Sequence, residues 1–414
     1  MPRKPTVLSL YSGAGGLDHG FEAAGFRTAV AVEIDATCCE TLRANGGYTV
    51  IDRSIHDVSS HDILDATRRR LRRPLKVGEA DVLIGGPPCQ PFSKAGYWAT
   101  GDSLRLDDPR AQTIGAYLEV LEQTRPRVFL LENVEGMSYA GKSEALAMLT
   151  GELDAINRRL GTRYRPSVAV LCAADYGVPQ LRRRFFMVGA ADGTEFRFPD
   201  ATHVESGGQA EPYRTAWDAL GDLREPDDPA LAPRGKWAGL LPSIPEGHNY
   251  LWHTERGEGR PLFGWRTRYW SFLLKLAKAR PSWTIQAQPG PAIGPFHWNS
   301  RRLGPRELCR LQTFPDHVEI VGGLGAVQRQ LGNAVPSLLA EVLAREIRVQ
   351  LLGLPLPAKI PTLLPPRRTP VPDQTDPAPV PREYLRLEGV HAAHRGTGAG
   401  PRAAAWASAT TAET

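Results

Sequence analysis

The sequence predicts an α/β fold built on a doubly wound, mostly parallel β-sheet. Its apolar runs are short and rich in Val, Ile, Leu and Phe, as strands buried on both faces require. The first run ends at Gly13, Gly15 and Gly16, and helical spacing follows through Leu17 and Phe21. A second apolar run comes directly after this helix. Strand, glycine-rich turn, helix and strand form the opening unit of such a sheet.

Six apolar runs are the strand candidates, and helical stretches separate them. They are TVLSLYS (6–12), TAVAVEID (28–35), ADVLIGG (80–86), RVFLLENV (127–134), PSVAVLCAADYG (166–177) and RRFFMVGA (183–190). We therefore expect the sheet to occupy residues 1–195. No internal repeat interrupts this order.

Three further segments follow the predicted sheet. Residues 196–300 are rich in Pro, Gly and Trp and lack clear periodicity, which predicts a second, smaller domain. Residues 301–352 predict a short helix and then one long amphipathic helix, QLGNAVPSLLAEVLAREIRVQLLG, that returns to the first domain. Residues 353–414 are rich in Pro, Ala and Gly, and we expect them to be disordered.

Bulk properties constrain the partners. The 414 residues carry a net charge of +5 with a pI near 9.0, which permits a polyanionic partner without demanding one. The five cysteines fit neither a disulfide framework nor a zinc site, so we expect a reducing cytosol and no structural metal. We see neither a signal peptide nor a membrane span, and expect a soluble cytoplasmic protein.

A cysteine lies between two prolines in LIGGPPCQPFSKAG. A free thiol usually packs as a small hydrophobe, an interpretation that suits Cys172 and Cys309. Pro88 and Pro91 exclude regular structure around Cys89. Cys89 therefore belongs to a loop that leaves a strand, where ligands bind in α/β sheets. From this context alone, a packed thiol and a functional one are equally plausible.

The glycine turn and Glu33 together indicate a cofactor site. Small residues let the backbone approach a ligand, and Glu33 ends the second strand, where a carboxylate can accept hydrogen bonds from ribose hydroxyls. A tight turn and a solvated strand end are the simpler alternatives. The glycines do not complete the dinucleotide fingerprint, and S-adenosylmethionine, which has no pyrophosphate, tolerates the shorter form.

Three more polar residues follow or precede apolar strands. Burial of Glu132 at a strand end would raise the pKa of its carboxyl and suit it to proton donation, although a salt bridge or a helix cap would also explain it. Alternation along a strand places Arg182 and Arg184 on one side, where they could clamp an anion or simply carry surface charge. With Cys89 they supply a nucleophile, an acid and an anion clamp.

These motifs, in this order, resemble the DNA (cytosine-5)-methyltransferases of bacterial restriction–modification systems. The resemblance spans residues 6–352 and rests on PPCQPFS, ENV and QLRRR. It implies a Rossmann-like domain that uses S-adenosylmethionine and a target-recognition domain at 196–300. It also implies that the Cys89 thiolate attacks C6 of a flipped cytosine, that Glu132 holds N3, and that Arg182 and Arg184 contact the base carbonyl.

The resemblance assigns further residues. Those implied to bind cofactor are Tyr11, Ser12, Gly13, Gly15, Gly16, Leu17, Glu33, Ile34, Pro88 and Asn333. Those implied to contact the substrate are Gln90, Ser93, Thr284 and Ile285. Ser54 occupies the position where the family usually has an aspartate for the adenine amine; Asp52 or Asp57 could replace it only with a register shift.

Other features have more than one interpretation. Trp265, Arg266, Arg268, Tyr269 and Trp270 mix cations with aromatic rings as DNA contacts do, but we favour a core role for the tryptophans. The run RRRLRRPLK (68–76) is typical of a solvated helix face. Residues 90–108 are expected to close on a flipped base.

The chemistry leaves three rival functions. An oxidoreductase would explain the glycine turn and Glu33 but not Cys89, Glu132 and the arginines. A non-catalytic DNA-binding relative would lack the thiol or the carboxyl. A tRNA-modifying enzyme shares the chemistry but has a shorter recognition segment. We expect a monomer acting on double-stranded DNA, with a cognate restriction endonuclease as a possible partner, at a base sequence that the chain does not reveal.

Overall fold

A computed structural model describes residues 3–88, 112–138, 143–208, 210–265 and 269–391. The described strands are β1 Thr6–Leu10, β2 Arg27–Glu33, β3 Thr49–Asp52, β4 Val82–Gly85, β5 Val128–Val134, β6 Ser167–Cys172, β7 Gln180–Leu181, β8 Arg183–Ala190, β9 His203–Val204, β10 Glu211–Pro212 and β11 Ser282–Trp283. The described α-helices are α1 Gly16–Ala23, α2 Ala36–Asn45, α3 Ser60–Ala66, α4 Arg68–Leu71, α5 Gln112–Thr124, α6 Ser143–Leu160, α7 Ala216–Leu220, α8 Pro305–Leu311, α9 Leu324–Asn333, α10 Ser337–Glu346 and α11 Arg382–Leu385.

In the described part of the chain, seven strands form one sheet in the order β3-β2-β1-β4-β5-β8-β6. The pairs from β3 to β5 are parallel, whereas β8 runs antiparallel to both β5 and β6. The strand order reverses between β1 and β4, and ligands bind at such a reversal, outside the carboxyl ends of the strands. The predicted doubly wound, mostly parallel sheet is confirmed.

The central strands are apolar throughout because helices cover both faces of the sheet. In β5, Phe129 and Leu131 point to the core formed with α3, α5 and α6, while Val128 and Leu130 point to the core formed with α1 and α10. Adjacent residues of a strand face opposite sides, so each must be apolar when both sides are buried.

Helices α1 and α10 cross at close range because α1 carries glycine where they meet. A Cβ at Gly16 would collide with the carbonyl oxygen of Val335, and one at Gly20 would collide with Ala340 and with the backbone of Ser337. The return segment thus lies directly against the first helix. This contact brings the residues just before α10 to the carboxyl end of β1.

The return segment differs from the single long helix predicted for it. Helix α9 ends at Asn333, and α10 begins at Ser337, after Pro336, and continues as a π-helical turn over Ile347–Leu351. Proline lacks the N–H that a continuous helix would need, and its ring clashes with the preceding turn. The break leaves Ala334–Pro336 as a non-helical connection facing the glycine turn.

Residues 196–300 are irregular, as expected, and hold their own small core. Leu240, Ile244, Tyr250, Leu273 and Phe296 are among its buried members. Its regular structure consists of short 3₁₀ turns, the five-residue helix α7, two-residue strands and isolated bridges. One of these strands, β11, runs parallel to β7, the short strand that precedes β8, and the two form a separate sheet.

The Pro-rich segment differs from the disorder expected for it. Residues 354–391, called the C-terminal segment below, follow a defined path, and Tyr384 from α11 is buried in the small core that residues 196–300 form. Composition suggested disorder because the segment has no periodic apolar pattern. A few side chains placed on surfaces made by the rest of the chain suffice to fix it.

Two further observations concern the surface helix α4 and the lengths of the helices. Helix α4 buries none of its residues, which confirms that the arginine run forms a solvated face. Among the described residues, we find no helix with the length and apolar composition needed to cross a bilayer.

Candidate active site

A cavity of about 630 Å³ lies at the carboxyl ends of the central strands, beside the break between α9 and α10. Eleven of the predicted site residues line it: Tyr11, Ser12, Gly13, Gly16, Leu17, Glu33, Ile34, Pro88, Glu132, Arg184 and Asn333. Gly15, Arg182, Thr284 and Ile285 lie outside this lining. Cys89, Gln90, Ser93 and the predicted closing loop at 90–108 lie outside the described residues.

The glycine turn shapes one wall of the cavity. Gly13 and Gly15 have φ of 55° and 84°, in the left-handed region that favours glycine. The Gly13 amide donates to the Glu33 carboxylate at 2.8 Å, and the Gly15 amide donates to the Ser12 carbonyl at 2.8 Å. Because these amides are bound within the protein, the turn does not offer them to a pyrophosphate.

Glu33 closes β2 with its carboxylate held by the backbone. One oxygen accepts from Gly13, and the other accepts from the amides of Ile34 and Asp35, each at 2.9 Å. These three bonds fix the orientation of the carboxylate at the cavity wall. Oε2, which accepts only one of these bonds, retains acceptor capacity, as a contact with a ribose hydroxyl would require.

Beside Glu33, the cavity wall combines an apolar and a charged contact. Ile34 is 67% exposed although it is a large aliphatic residue, so it offers a bare apolar surface. Asp35 caps α2 and pairs with Arg329 of α9, and this hydrogen-bonded pair lowers the pKa of Asp35 to about 2. The sequence analysis missed this pair because its members are 294 positions apart.

Ser54, which stands where the family usually has an aspartate, does not belong to the described cavity lining. Its hydroxyl accepts from the His56 amide and caps a short 3₁₀ turn. Asp52 pairs with Arg43, and the Asp57 carbonyl accepts from Arg53. None of Ser54, Asp52 and Asp57 belongs to the described lining of the cavity.

Glu132 and Arg184 meet at the other end of the cavity. They lie on neighbouring strands, and Arg184 Nε is 3.1 Å from Glu132 Oε1. Burial raises the pKa of Glu132, and the positive charges of Arg184 and Arg182 oppose part of that rise. The carboxyl is thus held closer to its protonated form than a solvated glutamate would be.

The backbone that leads to Cys89 is fitted against Glu132. A Cβ at Gly86 would lie 2.9 Å from Glu132 Oε2, so a side chain here would displace the carboxyl. Asn133 donates from its amide nitrogen to the Pro87 carbonyl at 3.1 Å. These contacts bring the last described residues before Cys89 to the same cavity as Glu132. Asn133 belongs to the ENV motif, but no role was predicted for it.

Arg182 differs from its predicted position. Its side chain is fully buried and donates to the carbonyls of Ile285 at 3.1 Å and Gly332 at 2.7 Å. The strand is interrupted between β7 and β8 at this residue, so simple alternation does not carry over from Arg184. The predicted contact of Arg182 with the base is therefore not supported by this geometry. The guanidinium instead joins its own segment to those of Ile285 and Gly332.

Thr284 and Ile285 lie directly beside Arg182. The Thr284 hydroxyl donates to the Leu181 carbonyl at 2.6 Å, and the Ile285 amide donates to the side chain of Gln180 at 3.0 Å. Gln180 is itself buried and bonded to Gln312 at 2.9 Å. The buried amide of Gln180 thus ties the end of the 196–300 region to β7, a role that no sequence pattern predicted.

The aromatic residues within 196–300 are divided between core and surface. Trp237 packs against Phe263 and Phe272, in agreement with a core role. Trp270 is 49% exposed and meets Trp283, which is 37% exposed, edge to face at 5.4 Å. Exposure of Trp270 differs from the core role favoured for it.

Trp265 is half-buried under the Arg256 guanidinium, which lies 3.7 Å from the ring centroid. Tyr269, beside Trp270, is exposed. Arg266 and Arg268 lie outside the described residues.

A buried polar chain lies beneath the glycine turn. The Ser9 hydroxyl bonds to the Ser12 hydroxyl at 2.8 Å and donates to Asp18 Oδ2 at 3.1 Å. Burial raises the pKa of Asp18 to about 7, and the Ser9 hydrogen bond opposes this. Burial lowers the pKa of the adjacent His19 to about 4. Neither residue was predicted to have a role.

A family model for C-5 cytosine-specific DNA methylases matches residues 6–349. The chain belongs to this family. The methylase is 39% identical over 379 residues to the type II methyltransferase M.SacI of Streptomyces achromogenes, a match covering 83% of this chain and 93% of the relative. It is 32% identical over 352 residues to M.NgoFVII of Neisseria gonorrhoeae, covering 83% and 86%.

Solved structures agree on the fold of this methylase. The methyltransferase EhMeth of Entamoeba histolytica superposes with a TM-score of 0.56 at 14% identity, covering 83% of this chain and 98% of that one. The Dnmt2 methyltransferase of S. pombe gives a TM-score of 0.55 at 16% identity, covering 83% and 98%.

Proposed function

We propose that this methylase transfers a methyl group from S-adenosylmethionine to C5 of one cytosine in a short duplex DNA site. The observation that carries the choice of cofactor is the glycine turn, whose Gly13 and Gly15 amides are bound inside the protein. A dinucleotide needs such amides for its pyrophosphate, whereas S-adenosylmethionine does not. Glu33 binds the ribose, and exposed Ile34 packs on the adenine.

The chain's own residues prepare the cytosine for reaction. The Cys89 thiolate attacks C6, which makes C5 nucleophilic, and Glu132 holds a proton at N3 to offset the charge that builds up on the ring. The raised pKa of Glu132 suits this role. S-adenosylmethionine, when bound, supplies the electrophilic methyl group. Loss of the C5 proton and elimination of the thiol then restore the aromatic ring.

The remaining site residues divide into contacts and supports. Arg184, which pairs with Glu132 at the cavity, contacts the cytosine carbonyl. Arg182 is a positioning residue, because its bonds to Ile285 and Gly332 hold the recognition region, residues 196–300, and α9 next to the start of β8. Gln90, Ser93 and Thr284 contact the flipped nucleotide.

The names of the relatives place this activity in a restriction–modification context. Both M.SacI and M.NgoFVII are described as type II methyltransferases. We assign this methylase the same setting, in which methylation of duplex DNA blocks cleavage by a partner endonuclease. It acts as a monomer in the bacterial cytosol, with residues 196–300 reading the site and residues 1–195 and 301–352 forming the catalytic domain.

Trapping of the covalent adduct tests the proposal. Plasmid DNA in which 5-fluorocytosine replaces cytosine would be incubated with the protein and tritiated S-adenosylmethionine, and then resolved by denaturing electrophoresis. Fluorine at C5 cannot leave as a proton does, so elimination stops and the protein stays attached to DNA. We expect a labelled protein–DNA band from the wild type and from Cys172→Ser, and none from Cys89→Ser.

Cys172 is the matched control because its thiol is buried at the end of β6, away from the cavity. A transcript of the same plasmid containing 5-fluorocytosine separates the DNA-modifying function from the RNA-modifying one. A band with RNA alone would contradict a DNA substrate. A band that persists in both cysteine variants would contradict the assignment of Cys89.

A further inference from the structure

The C-terminal segment begins on the catalytic domain, held by two buried side chains of α10. The Glu341 carboxylate accepts from the amides of Thr362 at 2.6 Å and Leu363 at 2.8 Å. Arg345 donates to the carbonyls of Ala358 and Lys359, each at 2.9 Å. Because α10 packs closely on α1, this end of the segment is fixed to the cofactor half of the molecule.

The middle of the segment crosses α7. The buried Asp218 carboxylate receives Arg367 Nη1 at 3.0 Å and the Arg368 amide at 2.7 Å. Arg368 also pairs with Asp222 at 2.8 Å. Lys278, from the recognition region, then donates to the Asp373 carbonyl at 2.9 Å. Successive contacts therefore lead from the catalytic domain into the recognition region.

The far end of the segment completes the small core. Tyr384 is 7% exposed; its ring stacks on Trp237 at an interplanar angle of 23°, and its hydroxyl donates to the Lys236 carbonyl at 2.9 Å. Arg260 pairs with Glu388 at 2.9 Å. The Ala378 amide donates to the Pro242 carbonyl at 2.9 Å.

All of these segment residues lie beyond residue 349, where the match to the family model ends. We propose that the C-terminal segment is a tie that sets the position of the recognition region over the active site, with Tyr384 as its main positioning residue. The inference rests on the proposed function, since it concerns how DNA is held. Side chains that read DNA must stay at a fixed distance from Cys89 and Glu132. Within the described residues, strand pairing between that region and the catalytic domain involves only Ser282 and Trp283, which pair with Gln180 and Leu181.

Tyr384→Ala and Tyr384→Phe test the tie in the full-length protein. A duplex carrying the methylated site, first located by bisulfite sequencing of DNA treated with the wild type, serves as substrate. For Tyr384→Ala we expect KM for DNA to rise by on the order of tenfold to a hundredfold, as misplacement far from the chemistry can produce. Discrimination against single-base changes falls too, and the Kd for S-adenosylmethionine stays within about twofold.

Two variants serve as controls. Tyr384→Phe keeps the ring on Trp237 and loses only the bond to Lys236, so it should restore most of the DNA affinity. Val390→Ala alters a fully exposed residue of the same segment and should change neither constant. An unchanged KM for DNA in Tyr384→Ala would overturn the proposal. So would equal losses in DNA binding, S-adenosylmethionine binding and kcat, because these would indicate general destabilisation.

Hydrogen exchange provides a readout that does not depend on activity. In the wild type we expect slow exchange at the amides of Ala378, Leu387 and Gly389, which are bonded in the docked segment. In Tyr384→Ala that protection is lost while β1 and β5 remain protected. Fast exchange of these amides in the wild type would overturn the tie, whether or not a DNA substrate is found. Slow exchange in a protein that does not methylate DNA would contradict the proposed function alone.

Discussion

At Gly86, the absence of a side chain leaves room for the Glu132 carboxyl. An added Cβ would lie 2.9 Å from Glu132 Oε2, so the carboxyl would have to turn away from Arg184. We predict that Gly86→Ala lowers kcat by on the order of tenfold to a hundredfold while the Kd for S-adenosylmethionine is little changed. Steady-state kinetics with equilibrium cofactor binding would measure both. A normal kcat would show that Glu132 can shift without cost.

The buried Asp18 predicts a pH dependence of stability. Its pKa is about 7 in the folded protein and near 3.8 when solvated, so between these values the folded state holds the proton more tightly. Its contribution to stability is thus present at low pH and lost as pH rises towards 7. His19, with a pKa of about 4 in the fold, acts in the opposite direction.

Asp18→Asn removes the first of these opposing effects. Relative to the wild type, we expect the free energy of unfolding of the variant to increase by roughly 1 kcal/mol per pH unit between pH 5 and pH 7. Urea titrations at four pH values would measure the difference. A difference that does not change with pH would mean that Asp18 titrates normally in the fold.

Two carboxylates that were predicted from local pattern line the cavity. Glu33 was predicted because it follows Gly13 by 20 residues at the end of a strand, and Glu132 because it ends an apolar strand. The same reasoning misplaced the Arg182 side chain, because alternation assumes one continuous strand and the chain is interrupted there. Asp35 with Arg329 left no signal, since a pair so distant in sequence is formed only by folding.

At the scale of elements, the crossing of α1 and α10 depends on the size of one residue. A Cβ at Gly20 would lie 2.6 Å from the Glu341 amide nitrogen and would also collide with Ala340. We predict that Gly20→Ala lowers the free energy of unfolding by about 1–3 kcal/mol, as overpacking of a core does. Chemical denaturation would measure this loss of stability. We also expect weaker binding of S-adenosylmethionine, which an equilibrium binding measurement would show.

Gly325→Ala is the matched control for this substitution. Gly325 lies in α9 with open space around its Cβ position. Alanine there should stabilise the protein by about 0.5–1 kcal/mol because it has the higher helix propensity. If both variants behaved alike, helix propensity rather than helix crossing would govern Gly20.

The predicted long helix illustrates what periodicity alone misses. Leu338, Leu339, Val342 and Ile347 were placed on one apolar stripe, and the stripe of α10 is indeed buried against the sheet. The predicted helix runs across Ala334–Pro336, where the backbone is not helical. Pro336 is the signal of this break, because proline inside a helical pattern ends or kinks the helix whatever the apolar spacing.

At the scale of the whole molecule, the sheet was predictable and the C-terminal segment was not. Each strand of the sheet carries its own apolar signal, so the doubly wound order could be inferred from the chain. Residues 354–391 carry no such signal, and Tyr384 and Arg367 are ordered by surfaces that Trp237 and Asp218 supply. Order of this kind depends on the tertiary partner, which composition does not contain.

The close contact between Gly16 and Val335 also has a consequence for synthesis on the ribosome. These residues are more than 300 positions apart, and at about 5–20 residues per second the second emerges tens of seconds after the first. Throughout that time, α1 lacks its contact with α10, and the cavity lacks the part of its wall that Ala334 and Val335 form. A nascent or prematurely terminated chain therefore cannot methylate DNA; activity begins only when translation has passed α10.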